Sequence, residues 1–266
     1  MNDRVLLQVR DGLARVTLNR GEKYNGLDRR MLQGLVETAG RIASDRSIRV
    51  AILTGAGNAF CAGLDFASVG KSPTALIRAG LKLPGQKTNL FQRACWVWRE
   101  LPVPVIAILH GHAVGGGLQL ALAADFRFAT PDCRLSIMEG KWGLIPDMTA
   151  SVTLRELVPM DIVKRLIMTA EVFDGRQALD YGIVTGVSDD PHKDAEALAG
   201  QLINRSPDAL ALTKRLLHRT WNKSPRRAFW TESVLQTRLL RGANHGIART
   251  ANLAKEVPSY VSRRVR

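Results

Sequence analysis

The sequence predicts an α/β fold followed by an all-helical C-terminal region. Its 266 residues are 45% apolar and 23% charged, which suffices for a buried core in one large domain or two small ones. Two runs rich in β-branched residues, at 49–54 and 105–109, each lead into a glycine-bearing loop, and strand signals end near residue 187. Strands that alternate with helices therefore give way to helices alone.

Turn residues and apolar spacing predict each element in chain order. Asp11-Gly12 supplies the positive φ angles of a tight hairpin turn between two short apolar stretches, and apolar residues recur at helical spacing from Met31 to Ile42. The other predicted elements are a helix over 89–101 that Pro102 and Pro104 stop, a helix over 118–124, strands at 126–129 and 134–137, helices over about 149–168, a strand at 183–187, and helices from 195 onward that are broken near Pro207 and Pro225.

The formal charge of +14 lies mostly in the C-terminal tail. Residues 201–266 carry 14 Lys and Arg against three acids, a net +11 that leaves +3 for the first 200 residues. Such a balance favours an anionic partner such as nucleic acid, an anionic membrane or an anionic small ligand. We expect the tail to be the solvated surface of an oligomer, and an RNA-binding protein is the alternative from another class.

Cysteine and membrane patterns exclude several classes. Cys61, Cys95 and Cys133 are an odd number at wide spacing without a CxxC pair, which indicates reduced, buried thiols and neither disulfides nor a structural metal. No window approaches the ~18 uncharged apolar residues of a membrane span, and the first residues lack a secretory or transit pattern. We therefore expect a cytoplasmic protein without a metal or redox cofactor.

Nucleotide and nucleophile motifs are incomplete. GAGNAF at 55–60 follows a strand like a dinucleotide fingerprint but ends in Phe60, and GKS at 70–72 resembles the end of a Walker A loop without its leading glycine. No GxSxG elbow occurs. His110 and His112 lie together without a third metal ligand, so structural hydrogen bonding is favoured for them.

Two glycine-bearing loops, each after a strand, are the candidate site. In FCAGLD at 60–65 the small residues leave the main chain accessible, and Asp65 is placed to cap a following turn. The triplet Gly115-Gly116-Gly117 offers amides without side chains at a helix start, where the macrodipole adds roughly half a positive charge. The two loops together suit an oxyanion hole, although a glycine triplet equally marks close helix packing.

Three segments resemble the signature segments of the crotonase (enoyl-CoA hydratase/isomerase) superfamily in sequence, order and spacing. They are LNRGEKYNGLD at 18–28, LTGAGNAFCAGLD at 53–65 and PVIAILHGHAVGGG at 104–117, and the similarity continues through WGLIP at 142–146 to RSPDAL at 205–210. The resemblance implies a spiral of ββα units over 1–200 that carries the acyl-CoA site, and a basic helical oligomerisation region over 201–266. It also implies a homotrimer, or a hexamer built as a dimer of trimers, and a coenzyme A thioester as substrate.

The resemblance also assigns binding residues. The amides of Leu64 and Gly116 would hold the thioester oxygen while negative charge develops on it. The stretch from Lys23 to Leu27, with Ala62, matches the part that clasps the adenosine and phosphates, and Lys23 is either a phosphate partner or a solvated loop lysine. The full set expected to contact coenzyme A is Lys23, Tyr24, Leu27, Ala62, Leu64, Asp65 and Gly116.

The acid and base positions distinguish activities within the family. Family hydratases carry two glutamates; here the first position is Gln119 and the second is Glu139, and a neutral amide cannot exchange protons at neutral pH. Asp147 stands at a place similar to the aspartate base of dienoyl-CoA isomerases. We therefore predict catalytic roles for Glu139, Asp147 and Gln119 beside Leu64 and Gly116. Enoyl- or dienoyl-CoA isomerisation is favoured over hydration through Glu139.

Structural roles stay open for both carboxylates. Asp147 is placed to cap a helix at Met148, and Glu139 is placed to form a structural pair. The acyl group of the substrate is not indicated, because residues 69–92, which would wall the acyl pocket, contain no readable motif.

Overall fold

A computed structural model of the protein describes residues 3–69, 79–82 and 84–265. The GKS motif at 70–72 and part of the predicted acyl-pocket wall lie outside the described residues. Within the described ranges, no helix is both long enough and apolar enough to cross a membrane.

The strands of the described ranges build two sheets. In chain order they are β1 (Val5–Arg10), β2 (Leu13–Leu18), β3 (Val50–Gly55), β4 (Val105–Leu109), β5 (His112–Val114), β6 (Phe126–Ala129), β7 (Arg134–Ser136) and β8 (Gly186–Val187). The larger sheet has the order β1-β2-β3-β4-β6-β8, and β5 pairs with β7 in the smaller sheet. The β1-β2 pair is antiparallel and the other pairs are parallel.

Helices fill the connections and the C-terminal part of the chain. In chain order they are α1 (Arg29–Ser44), α2 (Phe66–Val69), α3 (Leu90–Glu100), α4 (Gly116–Leu122), α5 (Ala150–Thr153), α6 (Met160–Thr169), α7 (Gly175–Asp180), α8 (Pro191–Ile203), α9 (Pro207–Thr220), α10 (Pro225–Leu240) and α11 (Ala243–Ala254), with short 3-10 helices at Gly21–Lys23, Met138–Trp142 and Leu154–Glu156. Strand β4 lies in the larger sheet and β5 in the smaller one, and helix α4 follows them. Strands β6 and β7 are divided between the sheets in the same way, and the 3-10 helix Met138–Trp142 follows them. This is the predicted ββα repeat.

Local signals explain where these elements begin and turn. Asp11 and Gly12 have φ values of 51° and 79°, as the hairpin turn between β1 and β2 requires. Helix α1 begins where the Asp28 side chain accepts a hydrogen bond from the Met31 N–H at 2.7 Å. Proline occupies the first turn of α9 and of α10, so the breaks predicted near Pro207 and Pro225 are helix starts.

One predicted element is shorter in the structure. The strand predicted at 183–187 is reduced to β8, because the Ile183 and Val184 N–H groups both donate to the Ala178 carbonyl in the turn after α7. The helices predicted over about 149–168 are α5, a 3-10 helix and α6, and Pro159 precedes α6.

The core covers both faces of the larger sheet. One cluster packs α1 and α3 against one face, while Val50, Ile52 and Ile106 on the other face pack against Ala195 and Ala199 of α8. The first glycine-bearing loop follows the carboxyl end of β3, and the second follows β5, which comes directly after the carboxyl end of β4. Ligands of parallel α/β sheets bind at this edge.

A buried lysine fastens the C-terminal helices to this core. Lys214 of α9 donates hydrogen bonds to the Trp98 carbonyl at 3.1 Å, the Val103 carbonyl at 3.0 Å and Asp125 Oδ2 at 2.7 Å. The predicted boundary at residue 200 falls inside α8, which packs on the sheet. The helical region thus begins nearer residue 191, and a division into two domains stays a prediction.

Candidate active site

The two glycine-bearing loops touch backbone to backbone. Gly63 has a φ of +85°, and a Cβ added there would lie 2.6 Å from the Val114 carbonyl oxygen and 3.4 Å from the Gly116 nitrogen. A Cβ on Gly117 would lie 2.2 Å from the Cys61 carbonyl oxygen. Only glycine allows this approach, so the glycines bring the segments 61–64 and 114–117 together.

Two amides in these loops are free to bind an oxygen. The neighbouring amides are used: Asp65 N–H donates to the Leu27 carbonyl at 3.2 Å and Gly115 N–H to the Ser136 carbonyl at 2.8 Å. The N–H groups of Leu64 and Gly116 donate to no group in the described part of the chain, and the next amide in the glycine triplet, that of Gly117, also has no acceptor there. Preset donors of this kind suit an oxygen on which negative charge develops.

The Glu139 carboxylate lies against the second glycine loop. Glu139 belongs to the 3-10 helix Met138–Trp142, and its Oε1 is 3.5 Å from the position of a Cβ on Gly115. Oε1 accepts a hydrogen bond from Gln119 Nε2 at 2.5 Å, whereas Oε2 is buried without a partner among the described residues. Burial raises the pKa of Glu139, hydrogen bonds from its own backbone N–H and then from Gln119 lower it, and the charge of Asp147 raises it further.

Asp147 lies in the loop before α5 and interacts with Glu139 through its charge. Partial burial of its carboxylate raises the pKa of Asp147, although the residue is more exposed than Glu139. Helix α5 begins at Ala150, and its N-cap residue Thr149 makes no side-chain capping hydrogen bond. The capping role considered for Asp147 at Met148 is therefore not seen, and the proton-transfer role stays a prediction.

The Gln119 side chain connects these two carboxylate-bearing segments. It is completely buried in α4, and its Oε1 accepts hydrogen bonds from the Met148 N–H at 2.9 Å and the Ala150 N–H at 3.1 Å. Its Nε2 faces Glu139. The amide oxygen is thus saturated by backbone donors and has no acceptor capacity left for a water molecule.

Comparison with known proteins identifies the family. Residues 8–260 match the family model described as Enoyl-CoA hydratase/isomerase. The chain belongs to the enoyl-CoA hydratase/isomerase family. The predicted superfamily membership is thereby confirmed.

Curated relatives of this family member are named for hydration chemistry. The (E)-benzylidenesuccinyl-CoA hydratase of Thauera aromatica is 35% identical over 184 residues, which are 69% of this chain and 69% of the relative. The carnitinyl-CoA dehydratase of Proteus mirabilis is 34% identical over 225 residues, 83% of this chain and 82% of the relative. These names favour hydratase or lyase chemistry over the isomerisation that the sequence favoured, which is not confirmed.

Solved structures confirm the predicted crotonase fold. An enoyl-CoA hydratase from Bacillus anthracis superposes with a TM-score of 0.89 at 25% identity, over 97% of this chain and 98% of that chain. An enoyl-CoA hydratase from Polaromonas sp. JS666 gives a TM-score of 0.87 at 27% identity, over 97% and 99% of the two chains. The α/β spiral and its C-terminal helices are those of the family.

Four of the residues predicted to contact coenzyme A line a groove of about 460 Å³ beside the first glycine loop. They are Lys23, Ala62, Leu64 and Asp65. Tyr24 is exposed and its ring stacks edge-on with His112 at 6.0 Å. Leu27 is fully buried: its side chain packs beside Gly116, and its backbone is hydrogen-bonded to Gly63 and Asp65 of the first loop. The binding roles of these residues stay predictions.

The carboxylate of Asp65 is already engaged with the protein. It accepts a hydrogen bond from the Ser68 N–H at 3.0 Å, as predicted for a turn cap, and pairs with Arg20 at 2.7 Å. The Ser68 hydroxyl, which donates to Asp65 Oδ2 at 2.6 Å, lowers the pKa of Asp65 most, and with the Ser68 N–H and Arg20 it outweighs burial and brings the pKa to about 2. Asp65 therefore remains ionised and shapes the groove wall.

Sequence reasoning missed the buried polar residues that hold this wall. Arg20 donates to the Gly26 carbonyl at 2.9 Å, and Asn25 donates to the Ala56 and Ala59 carbonyls at 2.9 Å and 2.8 Å. The Asn25-Gly26 dipeptide was an available signal, because Asn and Gly are typical of the left-handed φ of 55° observed at Asn25. No local signal marks Arg20.

The three cysteines are free and buried, as predicted. Cys61 donates a hydrogen bond to the Asn25 carbonyl at 3.1 Å, and burial raises its pKa to about 12. Burial also raises the pKa of Cys95, with further contributions from the charges of Asp147 and Glu139.

Proposed function

We propose that the protein catalyses the reversible addition of water to the double bond of a 2-enoyl thioester of coenzyme A. The observation that carries this proposal is the free, buried Oε2 of Glu139 beside a loop whose Gly116 amide is also free. An acceptor for a proton and a donor for an oxyanion are the two groups that chemistry next to a thioester carbonyl needs. The names of the curated relatives support the same reaction.

The two free amides would stabilise the thioester enolate. When water adds to C3, the π electrons move toward the thioester oxygen, which then bears negative charge. Hydrogen bonds from the Leu64 and Gly116 N–H groups strengthen as that charge grows, so they favour the transition state over the bound substrate. Removal of one such donor typically costs ~10²–10³-fold in rate.

Glu139 would exchange the proton at C2. Its raised pKa brings the carboxyl nearer to neutral pH, where it can both give and take a proton. In hydration the protonated carboxyl delivers its proton to C2 as the enolate collapses. In dehydration the ionised carboxylate removes that proton and the hydroxyl group leaves from C3.

Asp147 would accept a proton from the attacking water molecule. The water must lose one proton as its oxygen bonds to C3, and Gln119 cannot accept that proton. The Asp147 carboxylate is accessible, and its charge acts on Glu139. It replaces in function the second glutamate that position 119 lacks. Between turnovers Asp147 releases the gained proton to solvent and Glu139 takes one up, so both groups return to their starting states.

Double-bond isomerisation is the second candidate. The observation in its favour is that two carboxylates of raised pKa lie together while neither serves as a helix cap. One carboxylate would remove a proton from C2 of a 3-enoyl thioester, and the other would deliver a proton to C4 to give the 2-enoyl isomer. The same two amides would hold the dienolate oxygen.

An assay in isotopically labelled water distinguishes hydration from double-bond isomerisation. We expect purified protein to convert crotonyl-CoA in ¹⁸O-water into a product that is heavier by one labelled water and lacks the absorbance of the conjugated thioester. Conversion of a 3-enoyl thioester into its 2-enoyl isomer without label would instead establish isomerisation. Absence of both reactions over a panel of acyl chains would refute the proposed function.

The Asp147→Asn variant tests the assignment of the water. We expect hydration to fall ~10²-fold while thioester binding is kept, because asparagine cannot accept the proton. Asp132→Asn removes an exposed carboxylate outside the site and is the matched control. Full hydration by Asp147→Asn would assign the water to Glu139 alone.

Assembly into an oligomer is a further proposal. Phe229 and Trp230 of α10 are 63% and 73% exposed, and we infer that other copies of the chain cover them in a trimer or hexamer. Light scattering of the purified protein measures this directly. A monomer at micromolar concentration would exclude the assembly.

A further inference from the structure

Chemistry alone fixes the orientation of the Gln119 amide. Its oxygen faces two backbone N–H groups, those of Met148 and Ala150, and only the oxygen of an amide can accept their hydrogen bonds. Its nitrogen must therefore point the other way, where it donates to Glu139 Oε1. No rotation of the amide satisfies the same partners.

The Glu139 carboxylate consequently presents two unequal oxygens. Oε1 is held by an N–H donor, and Oε2 is buried with no hydrogen-bond partner in the part of the chain that is described. A carboxylate oxygen that lacks donors binds a proton more readily than one that accepts a hydrogen bond. Oε2 is thus the atom at which a proton is exchanged.

We propose that Gln119 is a positioning residue that aims Oε2 of Glu139 at the substrate and ties Glu139 to the segment that bears Asp147. The proposal rests on the proposed function. Because one amide binds Glu139 at one end and residues 148 and 150 at the other, the two carboxylate-bearing segments keep a fixed spacing. Position 119 then acts through Glu139 and does not touch the reacting atoms.

The amide is the side chain that this arrangement requires. A glutamate of the same length would satisfy the two backbone donors with one oxygen but would set its other oxygen against Glu139 Oε1. Two carboxylates in contact share one proton, and the pair then titrates with one strongly raised pKa. Glutamine keeps the geometry, supplies a donor and leaves Glu139 free to titrate alone.

Direct titration of Glu139 tests this role without relying on turnover. We would label glutamate carboxyl carbons with ¹³C in the full-length protein and assign the Glu139 signal by its loss in Glu139→Gln. In Gln119→Met the donor is gone, and we expect the pKa of Glu139 to rise by about one unit or more. In Gln119→Glu, which keeps the backbone partners, we expect coupled titration of the pair.

Kinetics provide the second readout. Dehydration of a 3-hydroxyacyl thioester needs ionised Glu139, so its rate rises with pH through that pKa. In Gln119→Met the acid limb should move to higher pH and kcat should fall ~10–10²-fold with little change in KM. Thr153→Val, which loosens α5 by removing the hydrogen bond to the Thr149 carbonyl at 3.3 Å, should lower the melting temperature without moving the limb.

The outcomes distinguish failure of the positioning role of Gln119 from failure of the proposed hydratase function. An unchanged Glu139 titration in both position-119 variants, or one that Thr153→Val reproduces, would overturn the positioning role and leave Gln119 as a brace for residues 148–150. Wild-type protein that turns over no acyl thioester would refute the proposed function. The ¹³C titration would still report on Gln119 in that case.

Discussion

Replacing Gly63 with alanine tests whether the approach of the two glycine loops creates the oxyanion site. A side chain at a φ of +85° costs about 1–2 kcal/mol in backbone strain alone. The new Cβ would also lie 2.6 Å from the Val114 carbonyl oxygen, about 0.8 Å inside an ordinary contact. The backbone that carries Gly116 must move by a similar distance.

That displacement acts directly on the two free amides. A shift of about 1 Å in a catalytic group costs up to ~10²-fold in rate, or about 2.7 kcal/mol in the activation barrier. We expect kcat/KM for crotonyl-CoA hydration to fall by that factor in Gly63→Ala. The assay is the loss of thioester absorbance, with melting temperature measured on the same samples.

Gly12→Ala is the matched control. Gly12 has a φ of +79°, and a Cβ there would meet its nearest neighbours at 3.4 Å, an ordinary contact. It lies in the hairpin turn at the end of the sheet opposite the glycine loops. Both variants place an alanine at a positive φ and so carry the same backbone strain. Gly12→Ala should therefore lower the melting temperature but leave kcat/KM unchanged. If Gly63→Ala keeps kcat/KM within ~3-fold of Gly12→Ala, the amides of Leu64 and Gly116 do not form the oxyanion site.

Three other substitutions give distinct outcomes. Glu139→Gln should lose ~10²-fold or more in turnover. At about pH 8 the variant should melt a few degrees higher than the wild type, because a raised pKa means that the ionised carboxylate destabilises the folded protein above that pKa. Calorimetry should show equal melting temperatures near pH 4, where the side chain at 139 is neutral in both proteins. Lys23→Met should raise KM for an acyl-CoA but not for an acyl-pantetheine, and a uniform effect on both would exclude a phosphate contact. Lys214→Met removes the ion pair with the half-buried Asp125 and the hydrogen bonds to the Trp98 and Val103 carbonyls, so unfolding in urea should reveal a loss of ~3–5 kcal/mol with kcat per folded molecule unchanged. A loss below ~1 kcal/mol would contradict this anchor, because Asp125 would then be held well enough by the Val105 N–H.

Features that depend on local sequence were predicted well. These features affect only the backbone within a few residues. They are Gly12 in a hairpin, Pro207 and Pro225 in the first turns of helices, and the glycine triplet at a helix start. The contact between the loops at 61–64 and 114–117 followed from the family resemblance. Glycine composition alone left close helix packing as an equal explanation.

Features that depend on distant partners were not predictable. Gln119 meets backbone donors 29 and 31 residues away, and the sequence shows its side chain but not which end faces Glu139. Asp147 was placed at a helix start from its neighbours, yet α5 begins at Ala150 because Gln119 already serves the Met148 and Ala150 amides. Tertiary hydrogen bonds there override the local capping preference.

The location of unsatisfied polar groups ties the site to its chemistry. Buried backbone and carboxylate groups are normally paired, and an orphan costs about 1–3 kcal/mol. Here a buried carboxylate oxygen of Glu139 and the amide of Gly116 are unpaired within two adjoining segments, while the amides of Gly115 and Asp65 beside them are bonded. Among the described residues, the fold therefore leaves the Glu139 oxygen and the Leu64 and Gly116 donors unmatched in adjoining segments. In the proposed reaction, a thioester that becomes an enolate would bring the complement of these groups, an oxygen that gains charge and a carbon that exchanges a proton, so substrate binding would complete the hydrogen bonding that folding leaves open.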